Sequence, residues 1–219
     1  MPYSQLPVSV VVPHKRNRTE FFRQFCLPSI EANRPGEILV EPNDGGATGA
    51  KYRNAGIKKA RFPLVAFVDD DVILAKDYLW KLFAALMHRD WKRTDYAVPA
   101  YAYCDYYGIC LHPHAHPAGP IFRHEGRLFD HLALRRGNFI STMSLVIKDY
   151  LPKAGWDETL SQYDDWDFWL SIWDEHRAGG IWLPEPLFYA YYLDSGMSVE
   201  PSVEQFRKVQ VKHNIPVGQ

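Results

Sequence analysis

Phe62-Pro63-Leu64-Val65-Ala66-Phe67-Val68-Asp69-Asp70-Asp71-Val72 is the stretch on which the fold turns. An apolar, β-type run ends abruptly in three consecutive carboxylates. Adjacent aspartates repel one another, so a folded chain tolerates them best where water or a cation shares the charge. In an extended chain Asp69 and Asp71 face one side and Asp70 the other. Two like-facing carboxylates at a strand's carboxyl end seat a hard divalent cation that brings phosphate oxygens of its own. That pattern points to an enzyme acting on a phosphorylated donor. The same acidity suits a plain turn capping a helix over Asp77–Met87, and on acidity alone both readings stand.

Upstream, Pro7-Val8-Ser9-Val10-Val11-Val12-Pro13 is a short β-branched run bounded by prolines, which predicts a buried parallel strand. Thr19 reads as the N-cap of a helix reaching Asn33. Phe21, Phe22, Phe25 and Leu27 or Ile30 form its apolar face, and Arg34-Pro35-Gly36 stops it. Glu37–Glu41 is a second strand, followed by the turn-rich Pro42-Asn43-Asp44-Gly45-Gly46. Lys51–Lys59 is a helix and Phe62–Val68 the third strand. Strands alternating with helices at this spacing predict an α/β, Rossmann-like nucleotide-binding sheet flanked by helices. Ligands of such sheets sit outside the carboxyl ends of the strands, where 13–18, 41–46 and 69–71 all fall.

Downstream, 96–103 reads as a strand, 104–136 as a long loop rich in His, Pro and Gly, and 139–147 as strand again. A loop of that length in a compact domain is functional or mobile. Asp165–His176 carries Phe168, Trp169, Ile172 and Trp173 in a helical stripe ended by Gly179-Gly180. Ile181–Tyr192 is a last strand ahead of a polar tail.

A chain of 219 residues is long enough for one substantial core. Its 47% hydrophobic and 23% charged residues are ordinary for a soluble globular protein. A net charge of −1 offers no general field for nucleic acid or an anionic membrane. Local basic clusters such as Lys15-Arg16-Asn17-Arg18 and Lys58-Lys59-Ala60-Arg61 suit phosphates or solvated faces. Seven Trp and thirteen Tyr supply flat amphipathic surfaces for sugars or bases, or plain core filling. Three Cys without a CxxC spacing give neither a disulfide framework nor a thiolate zinc site. With no charged-then-apolar leader and no apolar run of about 18 residues, the expectation is a cytoplasmic enzyme without a transmembrane segment.

Four passages, in order, resemble the GT-A-fold glycosyltransferases, specifically the large inverting family 2. Val8–Pro13 is similar to the family's opening strand, and Arg53-Asn54-Ala55-Gly56-Ile57 to its Arg-Asn-x-Gly helix. Phe67–Asp71 stands where the family's aspartate (DXD) motif holds the metal and the donor diphosphate. Asn138–Ile147, then Gly155-Trp156-Asp157-Glu158 and Tyr163-Asp164-Asp165-Trp166-Asp167, is similar to the acceptor-side block, which usually shows Gly-Phe-Asp-Glu and a Glu-Asp pair. The likeness runs from Val8 to Ser198. It departs at the second strand, where Asp-Asp-Gly-Ser is usual and Glu41-Pro42-Asn43-Asp44-Gly45-Gly46 stands here. Either Glu41 or Asp44 takes the base-contacting place. Asp164 stands where Glu is usual, and 104–136 has no counterpart.

The resemblance implies a single GT-A domain, 1–219, with a nucleotide-sugar-binding half (1–95), an acceptor-side half (96–198) and a C-terminal tail (199–219). It implies transfer of a sugar, with inversion, from a nucleotide-diphosphate donor, expected to be a UDP-sugar, to an acceptor hydroxyl. Pro13, Lys15, Arg16, Arg53, Asn54, Asp69 and Asp70, with Glu41 or Asp44, would bind the donor. Asp71 and Asp69 would hold Mn²⁺ or Mg²⁺, since oxygen-only ligands favour those ions over zinc. His213 or Asp194 is a candidate further ligand; His213 also reads as a solvated tail residue. Asp165 is the expected base, because the start of an amphipathic helix favours an ionised carboxylate and lowers its pKa. The same position suits a helix cap. Asp167 faces elsewhere on that helix.

Asp164, Trp156 and Trp166 fall on the acceptor side, and so do His112, His114 and His116 if 104–136 touches the acceptor. Those imidazoles alternate along an extended, proline-bearing segment, so a metal grip and a plain surface loop are the other two readings. Glycan, lipid-linked glycan and, less favoured by charge, modified nucleic acid are the candidate acceptors. A nucleotidyltransferase of related fold would carry a Gly-rich loop after the first strand, which Pro13-His14-Lys15-Arg16 lacks. A non-catalytic nucleotide- or glycan-binding module would not need Asp69, Asp71 and Asp165 together.

Overall fold

The computed structural model describes residues 5–43, 48–88, 98–110, 121–192 and 201–216. Its centre is β1 (Leu6–Lys15), parallel to β2 (Pro35–Asn43) on one side and to β3 (Leu64–Phe67) on the other. β1 is apolar almost throughout because both faces are covered. Val8, Val10 and Val12 join a core with Phe22, Ile30, Leu64 and Leu79. Val11 enters a second core with Phe67, Trp156, Phe168 and Trp169.

The sheet continues past β3 through β7 (Leu145–Ile147), β5 (Val98–Cys110), β8 (Ala178–Tyr192) and β4 (Val72–Leu74), in that order, and β6 (Ile121–His124) pairs with β5. β7 is antiparallel to both neighbours, β5 and β8 are parallel, and β4 returns antiparallel to β8. From β1 the chain crosses to β2 on one side and then to β3 on the other. The loops after β1 and β3 therefore part at a topological switch point, where α/β sheets bind ligands.

Several elements differ from their sequence reading. After β1 come a 3₁₀ turn (Arg16–Arg18), α1 (Thr19–Phe21), a π-helical stretch (Phe22–Cys26) and α2 (Leu27–Ala32). Thr19 does not cap that run; its hydroxyl donates to the Arg16 carbonyl. The π stretch turns Cys26 inward, and its thiol donates to the Asp69 carbonyl. The aspartates do not cap α4 (Tyr78–Met87), because β4 intervenes. The expected loop 104–136 is ordered differently. Its first residues prolong β5, 121–124 form the β6 partner of a hairpin, and His131–Arg136 is α5, capped by the Asp130 carboxylate. The His- and Pro-rich composition that read as loop is concentrated in 111–120, outside the described residues. Part of the polar tail forms α7 (Val203–Lys212), with Val209 buried. No described helix is long and apolar enough to cross a membrane.

Two glycines have steric reasons. Gly56, on α3 (Gly49–Lys59), faces Val11 of β1, and a Cβ there would collide with the valine side chain. Gly155 has φ +71° and lies against Asn54, so any side chain would be both strained and blocked. Gly56→Val is expected to cost about 2 kcal/mol or more through overpacking. A lowered urea midpoint would register it; an unchanged midpoint would mean that α3 can slide off β1.

Candidate active site

A cavity of about 490 Å³ opens at the switch point. One wall is the aspartate loop, and each carboxylate in it has a different task. Asp70 is buried and fully engaged: it accepts from the Lys15 backbone N–H (2.7 Å) and from Arg18 Nη1 (3.0 Å), and lies 3.0 Å from His14 Nδ1. It fastens the end of β1 to the end of β3. Asp69 accepts from Arg53 Nη2 at 2.7 Å, and Asp71 from Arg18 Nη1 at 2.5 Å. Burial pushes the Asp71 carboxyl up to about 7; Arg18 pulls it down, and Asp69 and Asp70 push it further up.

The facing wall is the start of α6 (Asp164–His176). Tyr163, immediately before it, adopts a left-handed backbone (φ 62°, ψ 17°) that is uncommon outside glycine. Its ring packs edge-on against Trp166 and Phe206, which holds the residue there. This abrupt start brings Asp164 and Asp165 together into the cavity. Asp164 accepts from Arg53 Nη1 at 3.0 Å, and Asp165 from Asn138 Nδ2 at 2.8 Å and the Trp166 N–H at 2.8 Å. The helix start was expected to lower the Asp165 pKa; it is instead raised. Burial pushes it up to about 7, and the adjacent Asp164 adds to the rise, outweighing the bond from the Trp166 N–H.

Arg53 joins the two walls. It is buried, one nitrogen on Asp69 and the other on Asp164, with its guanidinium 4.6 Å from the Trp156 ring centre. Neighbouring Asn54 does a different job. Its amide brackets Trp156, accepting from the Trp156 N–H (2.8 Å) and donating to the Trp156 carbonyl (2.9 Å), and also reaches Glu158. The Arg-Asn-x-Gly pattern thus decomposes into a charge bridge, a clasp on the 155–158 turn and a close approach to β1.

Of the residues singled out from sequence, Pro13, Lys15, Arg53, Asp69, Asp70, Asp71, Asp164 and Asp165 line the cavity. Others do not. Glu41 is buried and held by Lys59 (2.8 and 2.9 Å), and Asn43, two residues on, lines the cavity instead. Arg16 is exposed, outside the lining. Trp156 and Trp166 are core residues, the first stacked on Phe168 at 4.1 Å, the second donating its indole N–H to the Leu134 carbonyl. Neither presents a face to an acceptor. His213 is neither solvated nor in the cavity lining. It is buried between Asp167 (2.9 Å) and Asp174 (2.7 Å), while Lys212 reaches Asp167 (2.8 Å). Asp44, Asp194, His112, His114 and His116 lie outside the described residues.

Sequence reading did not single out Tyr106, His124 and Tyr192, and had Asn138 only as the first residue of the acceptor-side block; all four are in the lining. Tyr106 is sandwiched between His124 and Phe188, each 4.7 Å away and nearly parallel. Burial lowers the His124 pKa, so the imidazole is neutral at pH 7. No period marked Tyr106, which is out of phase with Tyr101, Tyr103 and Tyr107 along β5.

No group of three or more His, Cys, Asp or Glu among the described residues could hold a metal unaided. Asp71 and Asp69 nevertheless fit Mg²⁺ or Mn²⁺, which characteristically takes one or two carboxylates and completes its shell with substrate phosphates and water. Both line the cavity, and Asp71, pushed up chiefly by burial, has Arg18 as its counter-charge in this structure.

No family model and no curated protein matches the chain. Solved structures of S. aureus TarS do. The 1–349 piece matches at TM-score 0.64 and 16% identity over 96% of this chain and 65% of that one. A longer TarS chain gives 0.65 and 16%, covering 96% of this chain and 39% of that one. The UDP-GlcNAc complex of the 1–349 piece gives 0.64 and 15%, covering 94% and 66%. This chain therefore spans 65% of the first of these and shares the fold of these TarS structures.

Proposed function

We propose that this protein is a glycosyltransferase that moves a sugar, with inversion, from a uridine-diphosphate donor to an acceptor hydroxyl. The observation that carries the reading is the Arg53 bridge. It sets an aspartate loop suited to a diphosphate and an aspartate pair suited to a proton across one cavity. The shared fold supports the donor class, since TarS has been solved with UDP and with UDP-GlcNAc.

Lys15, Arg18 and Asn43 border the donor side of the cavity. Mg²⁺ or Mn²⁺ held by Asp71 and Asp69 would neutralise charge developing on the departing diphosphate. Asp165 takes the acceptor's proton. Asn138 and the Trp166 N–H fix its two oxygens. A carboxyl pushed up to about 7 is well matched to a base working near neutrality. Asp164, itself pushed up by burial and pulled down by Arg53, adds to this rise. Asn138, Ser141, Thr142, Tyr106 and Tyr192 give the far wall hydroxyls, an amide and ring faces, which suit a glycan acceptor, free or lipid-linked.

A thermal-shift panel of nucleotide sugars with and without Mn²⁺ tests this. A donor at about 100 times its Kd stabilises the fold by about 2.7 kcal/mol, so the cognate UDP-sugar should raise the melting temperature by several degrees. EDTA should remove most of that gain. Equal stabilisation with EDTA would remove the cation from the scheme, and no shift with any nucleotide sugar would remove the donor.

A further inference from the structure

The Asp71 seat is occupied by a cation of the protein's own. Arg18 Nη1 lies 2.5 Å from Asp71 Oδ2 and 3.0 Å from Asp70 Oδ1; the Arg18 side chain is 10% exposed, and both Arg18 and Asp71 line the cavity. Asp70 can spare this contact, because the Lys15 N–H and His14 also face it. Asp71 takes its counter-charge from Arg18. A divalent ion on Asp71 and a guanidinium 2.5 Å from its Oδ2 repel one another, so each weakens the other's hold on that carboxylate.

Arg18 is also placed to move. It closes the 3₁₀ turn ahead of α1 at φ −106°, ψ 8°, a turn conformation rather than a helical one, and its neighbours Arg16 and Asn17 are exposed. A guanidinium released from Asp71 inside this cavity meets the group that it fits best, a phosphate, which it can grip through two parallel N–H bonds.

We infer that Arg18 is an exchangeable counter-ion. It neutralises Asp71 in the free protein and passes to the donor's diphosphate when a divalent cation takes Asp71, so that metal and nucleotide diphosphate enter as a unit. This rests on the reading of Asp71 as the cation seat. It makes Arg18 a donor-binding residue of the loaded site and a brake on metal binding by the empty one. Metal and diphosphate must then raise each other's affinity by the same factor.

Mn²⁺ binding to the free protein, followed by the EPR signal of the unbound ion, and UDP binding by calorimetry with and without Mn²⁺ separate the two roles. Arg18→Gln should bind Mn²⁺ alone about tenfold more tightly than the wild type and UDP with Mn²⁺ about tenfold more weakly. Arg18→Lys, a point charge in place of the fork, should fall between them on both measures. It carries the test should Arg18→Gln fail to fold. Unchanged or weaker Mn²⁺ binding in the folded variants would make Arg18 a fixed structural counter-ion and overturn the exchange. A wild type that binds UDP with Mn²⁺ while the variants leave metal affinity untouched would overturn the exchange alone. A wild type that binds neither UDP nor Mn²⁺ with UDP would overturn the donor reading, and the exchange with it.

Discussion

Asp165→Asn is expected to lower turnover by about 10²–10⁴-fold, the usual worth of a positioned base, while UDP affinity stays nearly unchanged. The amide keeps the size of the side chain and its bond from the Trp166 N–H, but it cannot take a proton. Wild-type kcat/KM should climb as pH rises through about 7, because the base works only when ionised, and the residual activity of the variant should lack that limb. Stability runs the other way. The folded-state carboxyl sits above its ordinary value of 3.8, so its stabilising contribution is complete below about pH 4 and is lost as pH rises through about 7. At pH 8 the Asn variant should therefore melt at a higher temperature than the wild type. If it instead keeps wild-type turnover, Asp165 only caps α6. The base then falls to Asp164, since Asp167 is buried among Lys212 and His213.

Arg53→Met should be the most destabilising single change in the site, at about 3 kcal/mol. Removing one partner of a buried ion pair leaves its carboxylate without compensation. Here two carboxylates lose the same guanidinium, and the Trp156 face loses its cation. The cost stays at the low end of that for a broken buried pair because Asp69 and Asp164 keep 31% and 21% of their side-chain surface exposed. Arg53→Lys should recover part of the stability but not donor use, since one ammonium cannot span both walls. Urea unfolding read by Trp fluorescence suits the test; near-wild-type stability of Arg53→Met would reduce the bridge to a rim contact.

What the sequence revealed was what local physics controls. β1 and β3 announced themselves because strands covered on both faces become continuous apolar runs, and α6 because its stripe repeats at helical spacing. β4 and β6, at three and four residues, are too short to carry a period. Trp156 and Trp166 were legible as flat amphipathic rings but not as core; only the partners Phe168 and Leu134, brought from elsewhere in the chain, decide that. The Asp165 pKa was misjudged for a similar reason. A helix start is a local favourable term, whereas burial and the flanking charge of Asp164 depend on how the cavity walls close. Arg18 stood within a visible basic cluster, but its pairing with Asp70 and Asp71 spans more than fifty residues.

The position of β7 bears on how such a chain reaches its native state. β3 lies between β1 and a strand drawn from 145–147, and among the described residues β4 pairs with β8 alone, late in the chain. The two expected halves are therefore interlaced in one sheet and cannot mature one after the other. During synthesis the first half emerges with an apolar β3 edge still lacking its partner, the situation in which nascent sheets aggregate. Pairings this remote in sequence also slow the search for the native topology. Chain cut between 88 and 98 should yield two sticky fragments rather than two modules, and the aspartate loop can acquire its final shape only after Tyr191, whose N–H donates to the Asp71 carbonyl, has been made.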